Sequence, residues 1–399
     1  MTTAPVARCT EPLAAHPELG PREVRAIWNA AVGEGPQRMA ATAAARRSGD
    51  AALLRDGVPF AVRASVALDV IAGLDGRHHQ IKRHAVDRDA LRPVLAGPGN
   101  SYAAMDYVDR HADATVIFVP GARAFIHNVD KYLTEIMAVR GALAATPGSR
   151  TRVVAWAGHN APGTDFLWTH DGVHVCAGGA KLADFITALR IEEGDDHRII
   201  LDGFSLGASI VAMAALVLRT RCEKPVAKMV MGGCPGVPFG DVADTGMALG
   251  DVFTHRSAND VCGCGVLGHD PYLEGASTSL DIPIAGIRHV PPRAIPGMPF
   301  DRYVRFLSAL LAGDDVTGFT APHRRRSRIE LGGVGFRQLR RSRRRNLALY
   351  APFLEAQAAV VPAGAQAVRP SGARGARAAV TEPTPTGVAG AEDARILAS

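Results

Sequence analysis

Apolar residues are spaced in three ways along this chain, and each spacing predicts a different kind of structure. Up to about residue 95 they recur at three- and four-residue intervals, as in Arg22-Glu23-Val24-Arg25-Ala26-Ile27-Trp28 and over 62–74. That period sets them on one face of a helix, so the region reads as a helical N-terminal extension, residues 1–95. From 96 to 320, short unbroken apolar runs alternate with helical patterns. The runs fall at 115–120, 152–156, 198–201 and 226–231, with weaker ones at 252–255 and 284–287. Helices are expected between them at 129–143, 177–190, 208–218 and 300–311. Strands buried on both faces read as continuous runs rather than alternating ones. Strand and helix taken in turn over this length predict an α/β domain with a doubly wound, mostly parallel sheet. Beyond 321 the pattern dissolves. Residues 323–345 are dense in Arg, and 352–399 are rich in Ala, Pro, Gly and Val with few large apolar side chains. Such a segment buries too little surface to offset its ordering entropy, so 321–399 is expected to be a disordered tail.

Composition supports this division. Of 399 residues, 47% are hydrophobic, enough for one large α/β domain with extensions or for two ordinary domains. Aromatic residues are only 6%, so Ala, Val, Leu and Ile must build most of the core. The formal net charge of +6 gathers in the Arg-dense segment and describes a tail more than a catalytic body. That segment, 324–345, has only Phe336 as an aromatic and no zinc-finger or helix-turn-helix spacing. A solvated basic linker is expected there ahead of nucleic-acid or anionic-surface binding.

The six cysteines, Cys9, Cys176, Cys222, Cys234, Cys262 and Cys264, show no disulfide-framework spacing. Reduced thiols in a cytoplasmic protein are the expectation. Cys262 and Cys264 with His269 fall short of the four spaced ligands zinc takes, so neither a metal nor a cofactor is expected. No secretory leader pattern and no membrane-length apolar stretch occur in this sequence.

The candidate chemistry begins at Gly203-Phe204-Ser205-Leu206-Gly207. An apolar run stops at the first glycine, and an apolar helical pattern starts after the second. This is the strand–turn–helix setting of a nucleophile elbow, in which a sharp turn exposes the serine hydroxyl and small residues flank it. A hydroxyl needs a base to take its proton, and the base needs an orienting acid. In this fold class the acid and then the histidine follow the serine. Asp260, after the run at 252–255, is the expected acid, with Asp270, Asp281 and Asp251 as competitors. His289, after the run at 284–287, is the expected base, with His269 and His255 as competitors; His255 would lie inside a strand and suits a core role better. An oxyanion needs at least two backbone N–H donors. One is expected from Leu206, the other from Gly121 or Ala122 in the Val119-Pro120-Gly121-Ala122 turn.

These motifs, taken in order, resemble a family. Phe118-Val119-Pro120-Gly121, Val154-Ala155-Trp156-Ala157-Gly158-His159-Asn160-Ala161-Pro162, Gly203-Phe204-Ser205-Leu206-Gly207-Ala208-Ser209, Gly232-Gly233-Cys234-Pro235-Gly236-Val237 and Ser257-Ala258-Asn259-Asp260-Val261 are similar to the DUF1023 group of α/β hydrolases, common in actinobacteria. The resemblance covers roughly 90–315. It implies an α/β-hydrolase fold and a Ser-Asp-His triad, and it supplies no substrate. The family often has His before the nucleophile and Tyr after it; here Phe204 and Leu206 stand there, which alters the pocket and leaves the triad in place.

Overall fold

The parallel strands carry large apolar side chains on alternate faces, and both faces are buried. In the strand Ala114–Val119 (β3), Val116 and Phe118 turn one way and Ile117 and Val119 the other, all with little or no exposure. Thr151–Ala157 (β4), Arg198–Phe204 (β5), Lys228–Gly232 (β6) and Val252–His255 (β7) follow the same rule. Helices must therefore cover both sides.

The computed structural model describes residues 4–73, 91–96, 101–106, 110–122, 129–144, 150–159, 172–255, 265–271, 277–280, 299–321 and 336–360; all lie in the compact unit Met1–Val361. Two further strands, Arg92–Ala96 (β1) and Tyr102–Met105 (β2), and the short Thr278–Ser279 (β8) complete an eight-stranded sheet. Its order is β1-β2-β4-β3-β5-β6-β7-β8. From β4 to β8 every pairing is parallel, whereas β2 runs antiparallel to both β1 and β4. The chain moves outward from β3 to β4 on one side and from β5 through β6 and β7 on the other. The direction of winding thus reverses between β3 and β5, the position at which open α/β sheets bind ligands at the strands' C-terminal ends.

One core joins Ile117, Val119, Leu201 and Met231 to the helices Val173–Glu193 (α6) and Leu206–Thr220 (α7). The other joins Val116, Phe118, Ile200, Val230 and Phe253 to Val129–Ala144 (α5) and Pro299–Ala312 (α8). Four N-terminal helices, Ala4–Ala15 (α1), Pro21–Val32 (α2), Gly35–Arg46 (α3) and Phe60–Gly73 (α4), bury Val6, Leu13, Val24 and Trp28 in this second core. Glu192 ties them to the body. Its carboxylate accepts from Arg25 (3.0 Å) and from the Phe60 amide (2.7 Å). Burial raises the Glu192 pKa, against the pull of these two donors.

The sheet begins at β1 and β2, which the apolar pattern does not reveal because their runs are short. The strand expected at 284–287 lies outside the described residues. The Arg-dense segment requires a correction. Phe336–Ala359 is a helix (α9) docked on α6 and α7, not part of a disordered tail. Its exposed face carries Arg340, Arg341, Arg344 and Arg345, while Asn346, Tyr350, Leu354 and Gln357 recur on the inner face at helical spacing. The Gly172 amide donates to Asn346 Oδ1 (3.0 Å), and Asn346 Nδ2 donates to the Val266 carbonyl (3.0 Å). The Tyr350 hydroxyl donates to the Leu267 carbonyl (2.6 Å), and Arg221 to Gln357 Oε1 (2.7 Å). These contacts supply the burial that arginine content alone does not predict. Residues 361–399 lie outside the described residues. No described helix is long and apolar enough to cross a membrane.

Candidate active site

Ser205 stands between β5 and α7 with φ 54° and ψ −121°, one of two described non-glycine residues at positive φ. Such a backbone costs about 1–3 kcal/mol and persists only where neighbours hold it. They do. The Ser205 amide donates to the Gly232 carbonyl at 2.7 Å, which anchors the turn to β6. Gly203 and Gly207 are required by close approach: a Cβ on Gly203 would stand 2.5 Å from the Gly207 carbonyl oxygen, and one on Gly207 would stand 2.1 Å from the Val119 carbonyl oxygen. The glycines let α7 press against the end of β3, which is what brings the Gly121 turn to the serine.

Gly121 completes that approach. A Cβ there would lie 2.8 Å from Ser205 Cβ and 3.3 Å from Ser205 Oγ. The structure thus brings Ser205, Leu206 and Gly121 together, with Ala122 next in the chain. Leu206 opens α7, where first-turn amides have no partner within the helix and the helix dipole favours negative charge. The expected acid Asp260 and base His289 lie outside the described residues, as do Asp281, Cys262 and Cys264. Of the competing bases, His269 has its Nδ1 3.2 Å from Arg343 on α9, and burial followed by that guanidinium lowers its pKa. His255 is buried in β7, and burial holds its pKa down at about 4. Asp251 pairs with Lys228 at the start of β7, away from the strand's C-terminal end. Among the described residues no group of three or more His, Cys, Asp or Glu side chains is placed to hold a metal ion.

Beneath the elbow lies a buried polar cluster that the sequence reading missed. Asp202, three residues before Ser205, accepts a hydrogen bond from the Tyr303 hydroxyl of α8. The Tyr303 ring is 6.5 Å from that of His255, and His255 Nε2 is 2.7 Å from where a Cβ on Gly232 would stand. Burial raises the Asp202 pKa to about 7, against the smaller opposing effect of Tyr303. The available signal was a lone carboxylate closing an otherwise apolar run, Ile199-Ile200-Leu201-Asp202.

This cluster has a predictable pH signature. The Asp202 carboxyl is harder to ionise when folded than when unfolded, where its pKa is about 3.9. Its contribution to stability is full below about pH 4 and is lost as pH rises through about 7. His255 acts oppositely: its stabilisation is present above about pH 6.5 and is lost as pH falls through about 4. Asp202→Asn keeps an acceptor for Tyr303 and removes only the carboxyl titration. Denaturant unfolding of both proteins should show the variant gaining on wild type by about 1.4 kcal/mol per pH unit between pH 4 and 7. Parallel stability curves would refute the assignment.

Residues 102–264 match a family model described as Alpha/beta hydrolase. That match contains the Gly121 turn, the Ser205 elbow and the strands β2 to β7. The fold is that of an α/β hydrolase. No curated protein matches the chain. Among solved structures, the α/β-hydrolase fold here is similar to a lipase/esterase from Lactobacillus plantarum, at 17% identity over 43% of this chain and 77% of that one, with a TM-score of 0.25. It is similar to a carboxylesterase from the same organism at 18% identity, covering 42% and 71%, with a TM-score of 0.25. A Pyrobaculum calidifontis esterase is similar at 15% identity, covering 45% and 55%, with a TM-score of 0.25. Likeness at that level carries no weight on activity.

Proposed function

We propose that this α/β-hydrolase fold carries a serine hydrolase that cleaves a carboxylic ester or related acyl bond of a small-molecule substrate. The observation that carries this reading is Ser205 itself. It is held at φ 54° on a strand-to-helix junction, with a glycine of a second strand end set against its side chain. A structural turn has no need of that strain; an exposed nucleophile beside waiting backbone amides does.

In the reading, Ser205 Oγ attacks the carbonyl carbon while His289 takes its proton. Asp260 orients His289 and stabilises the imidazolium. The carbonyl oxygen becomes an oxyanion held by the Leu206 amide and that of Gly121 or Ala122. Collapse breaks the bond to the leaving group, which receives the proton from His289 and departs, leaving the acyl group on Ser205 Oγ. Water, deprotonated by His289, then releases the acid and restores the serine. The chemistry requires no metal or redox cofactor.

A fluorophosphonate probe tests the proposal, with mass spectrometry locating the adduct. Covalent labelling at Ser205, together with hydrolysis of a short p-nitrophenyl ester, is the expected result. Folded protein that takes up no probe at Ser205 would instead be a non-catalytic member of the fold, and the proposal would fall.

A further inference from the structure

The arginines of α9 are gathered at one end of the helix. They stop at Arg345, and no Arg or Lys follows between Asn346 and Ala359. Helix stability does not explain this placement. A helix dipole favours cations in the last turn, where α9 has none, and like charges four residues apart, as in Arg340/Arg344 and Arg341/Arg345, repel. Arg343 is turned inward, 3.2 Å from His269 Nδ1, whereas Arg340, Arg341, Arg344 and Arg345 are exposed. At about 100° per residue these four cover an arc of about 140° on the side away from Asn346 and Tyr350. Hydrogen bonds fix which end of the molecule they occupy. Asn346 joins the Gly172 amide, at the start of α6, to the Val266 carbonyl. The segment after β7 pairs with the loop after β6: the Leu267 amide donates to the Pro235 carbonyl (3.2 Å) and the His269 amide to the Val237 carbonyl (2.7 Å). That loop is fastened to the first turn of α7, where Ser209 Oγ donates to the Gly236 carbonyl (2.6 Å). Gln357, near the far end of α9, meets Arg221 just past the end of α7. The arginines therefore stand at the C-terminal ends of the parallel strands, the end that holds Ser205. Val173, beside Gly172, is an apolar side chain 51% exposed at that same end.

We propose that this basic shoulder docks the protein on a bilayer containing anionic phospholipid, and that the ester cleaved at Ser205 is one carried by that bilayer. Four guanidinium groups spread over a convex helix face each meet a different phosphate, which suits an array of headgroups better than one soluble anion. The exposed residues that continue this face up to Glu355, namely Ala348, Ala351 and Pro352, are small and apolar. With Val173 they suit the boundary between headgroups and acyl chains. Single-stranded nucleic acid would instead call for aromatic rings on which bases stack. Docking by this shoulder holds the strand ends around Ser205 close to the lipid surface, so that an acyl ester moves from bilayer to enzyme over a short path. The lipid-ester substrate rests on the serine-hydrolase reading; the docking surface does not.

Vesicle flotation of the full chain tests the surface. Wild type should float with mixed phosphatidylcholine–phosphatidylglycerol vesicles, should not float with phosphatidylcholine alone, and should come off as salt is raised. The triple variant Arg341→Gln, Arg344→Gln, Arg345→Gln should lose about 10^2-fold in partitioning. The same charge removed at Arg38, Arg46 and Arg47, in and just after α3, should leave partitioning as in wild type. Adding mixed vesicles should speed wild-type cleavage of a long-chain p-nitrophenyl ester relative to the soluble acetate, and the α9 variant should lose that acceleration. If the α9 variant fails to fold, trypsin on wild type gives the answer: mixed vesicles should protect the bonds after Arg341, Arg344 and Arg345 and leave the bond after Arg46 open. Wild type that ignores mixed vesicles, tighter binding to a short DNA duplex, equal losses in the two triple variants, or α9 bonds left unprotected would each overturn the docking surface. Flotation without faster long-chain hydrolysis overturns the lipid-ester substrate alone. Flotation of a protein that cleaves no ester and takes up no fluorophosphonate at Ser205 overturns the serine-hydrolase reading, and the substrate with it, while the docking surface stands.

Discussion

Ser205→Ala should lower kcat on a short p-nitrophenyl ester by about 10^4- to 10^6-fold, the scale seen when a nucleophile is removed from a serine hydrolase. The backbone supplies a second, independent readout. Alanine inherits the φ of 54° and the strain that accompanies it, whereas glycine occupies that conformation freely. Ser205→Gly should therefore be equally inactive yet more stable than Ser205→Ala by about 1 kcal/mol, even after glycine's greater chain entropy is counted. Paired urea titrations with ester assays measure both quantities. Two dead variants of opposite stability rank would count against a strained elbow. Substantial residual hydrolysis in either would exclude Ser205 as nucleophile.

The second large effect concerns folding. Gly207→Ala puts a Cβ 2.1 Å from the Val119 carbonyl oxygen and 2.5 Å from that of Pro120. Both obstacles are backbone, and a methyl group has no rotamer with which to avoid them. Either α7 lifts from β3 or β3 shifts within the sheet. The expected cost is about 3 kcal/mol or more, at the upper end for overpacking. If the fold survives, α7 draws Ser205 away from Gly121 and labelling by a phosphonate slows. Gly141→Ala is the natural control, because that exposed position in α5 has no atom within 4 Å of the added Cβ. It should gain up to about 1 kcal/mol from helix propensity. Denaturation midpoints that fell equally for both variants would show that the clash at Gly207 is not real.

The parts of this molecule legible in its sequence share a physical property: their signal is local. Residues 115–120 and 198–201 read as buried strands because nothing polar interrupts them, and they became β3 and β5 at the centre of the sheet. Gly203 to Gly207 read as an elbow because a strand pattern ends and a helix pattern starts on either side of it. Gly121 was legible as a turn, and the structure adds that it lies against Ser205. The antiparallel edge, β1 and β2, gave no such signal, because four or five residues of Ala, Leu and Val are too few to separate strand from loop. Asp202 and Tyr303 are about a hundred positions apart in the chain, and only the docking of α8 on the sheet joins them. The helix α9 misled for a different cause. Its arginines dominate the composition, while the face that binds the body depends on four or five residues whose partners, Gly172, Val266 and Leu267, are remote in sequence.

The late position of α9 also bears on biosynthesis. The helix that begins beside Ser205, α7, ends at Thr220, and the helix that covers part of it ends at Ala359, roughly 140 residues later. At about 5–20 residues per second, translation needs on the order of ten seconds to supply that cover. Over the later part of this interval, once Ser279 has been made, the nascent chain contains the strands β1 to β8, while the surface of α7 and the carbonyls of Val266 and Leu267 wait for Asn346 and Tyr350. A ribosome that stalls before α9 emerges thus holds a chain with a nearly complete sheet and an open apolar flank. That is the form of this protein on which a chaperone or a protease has the most to grip.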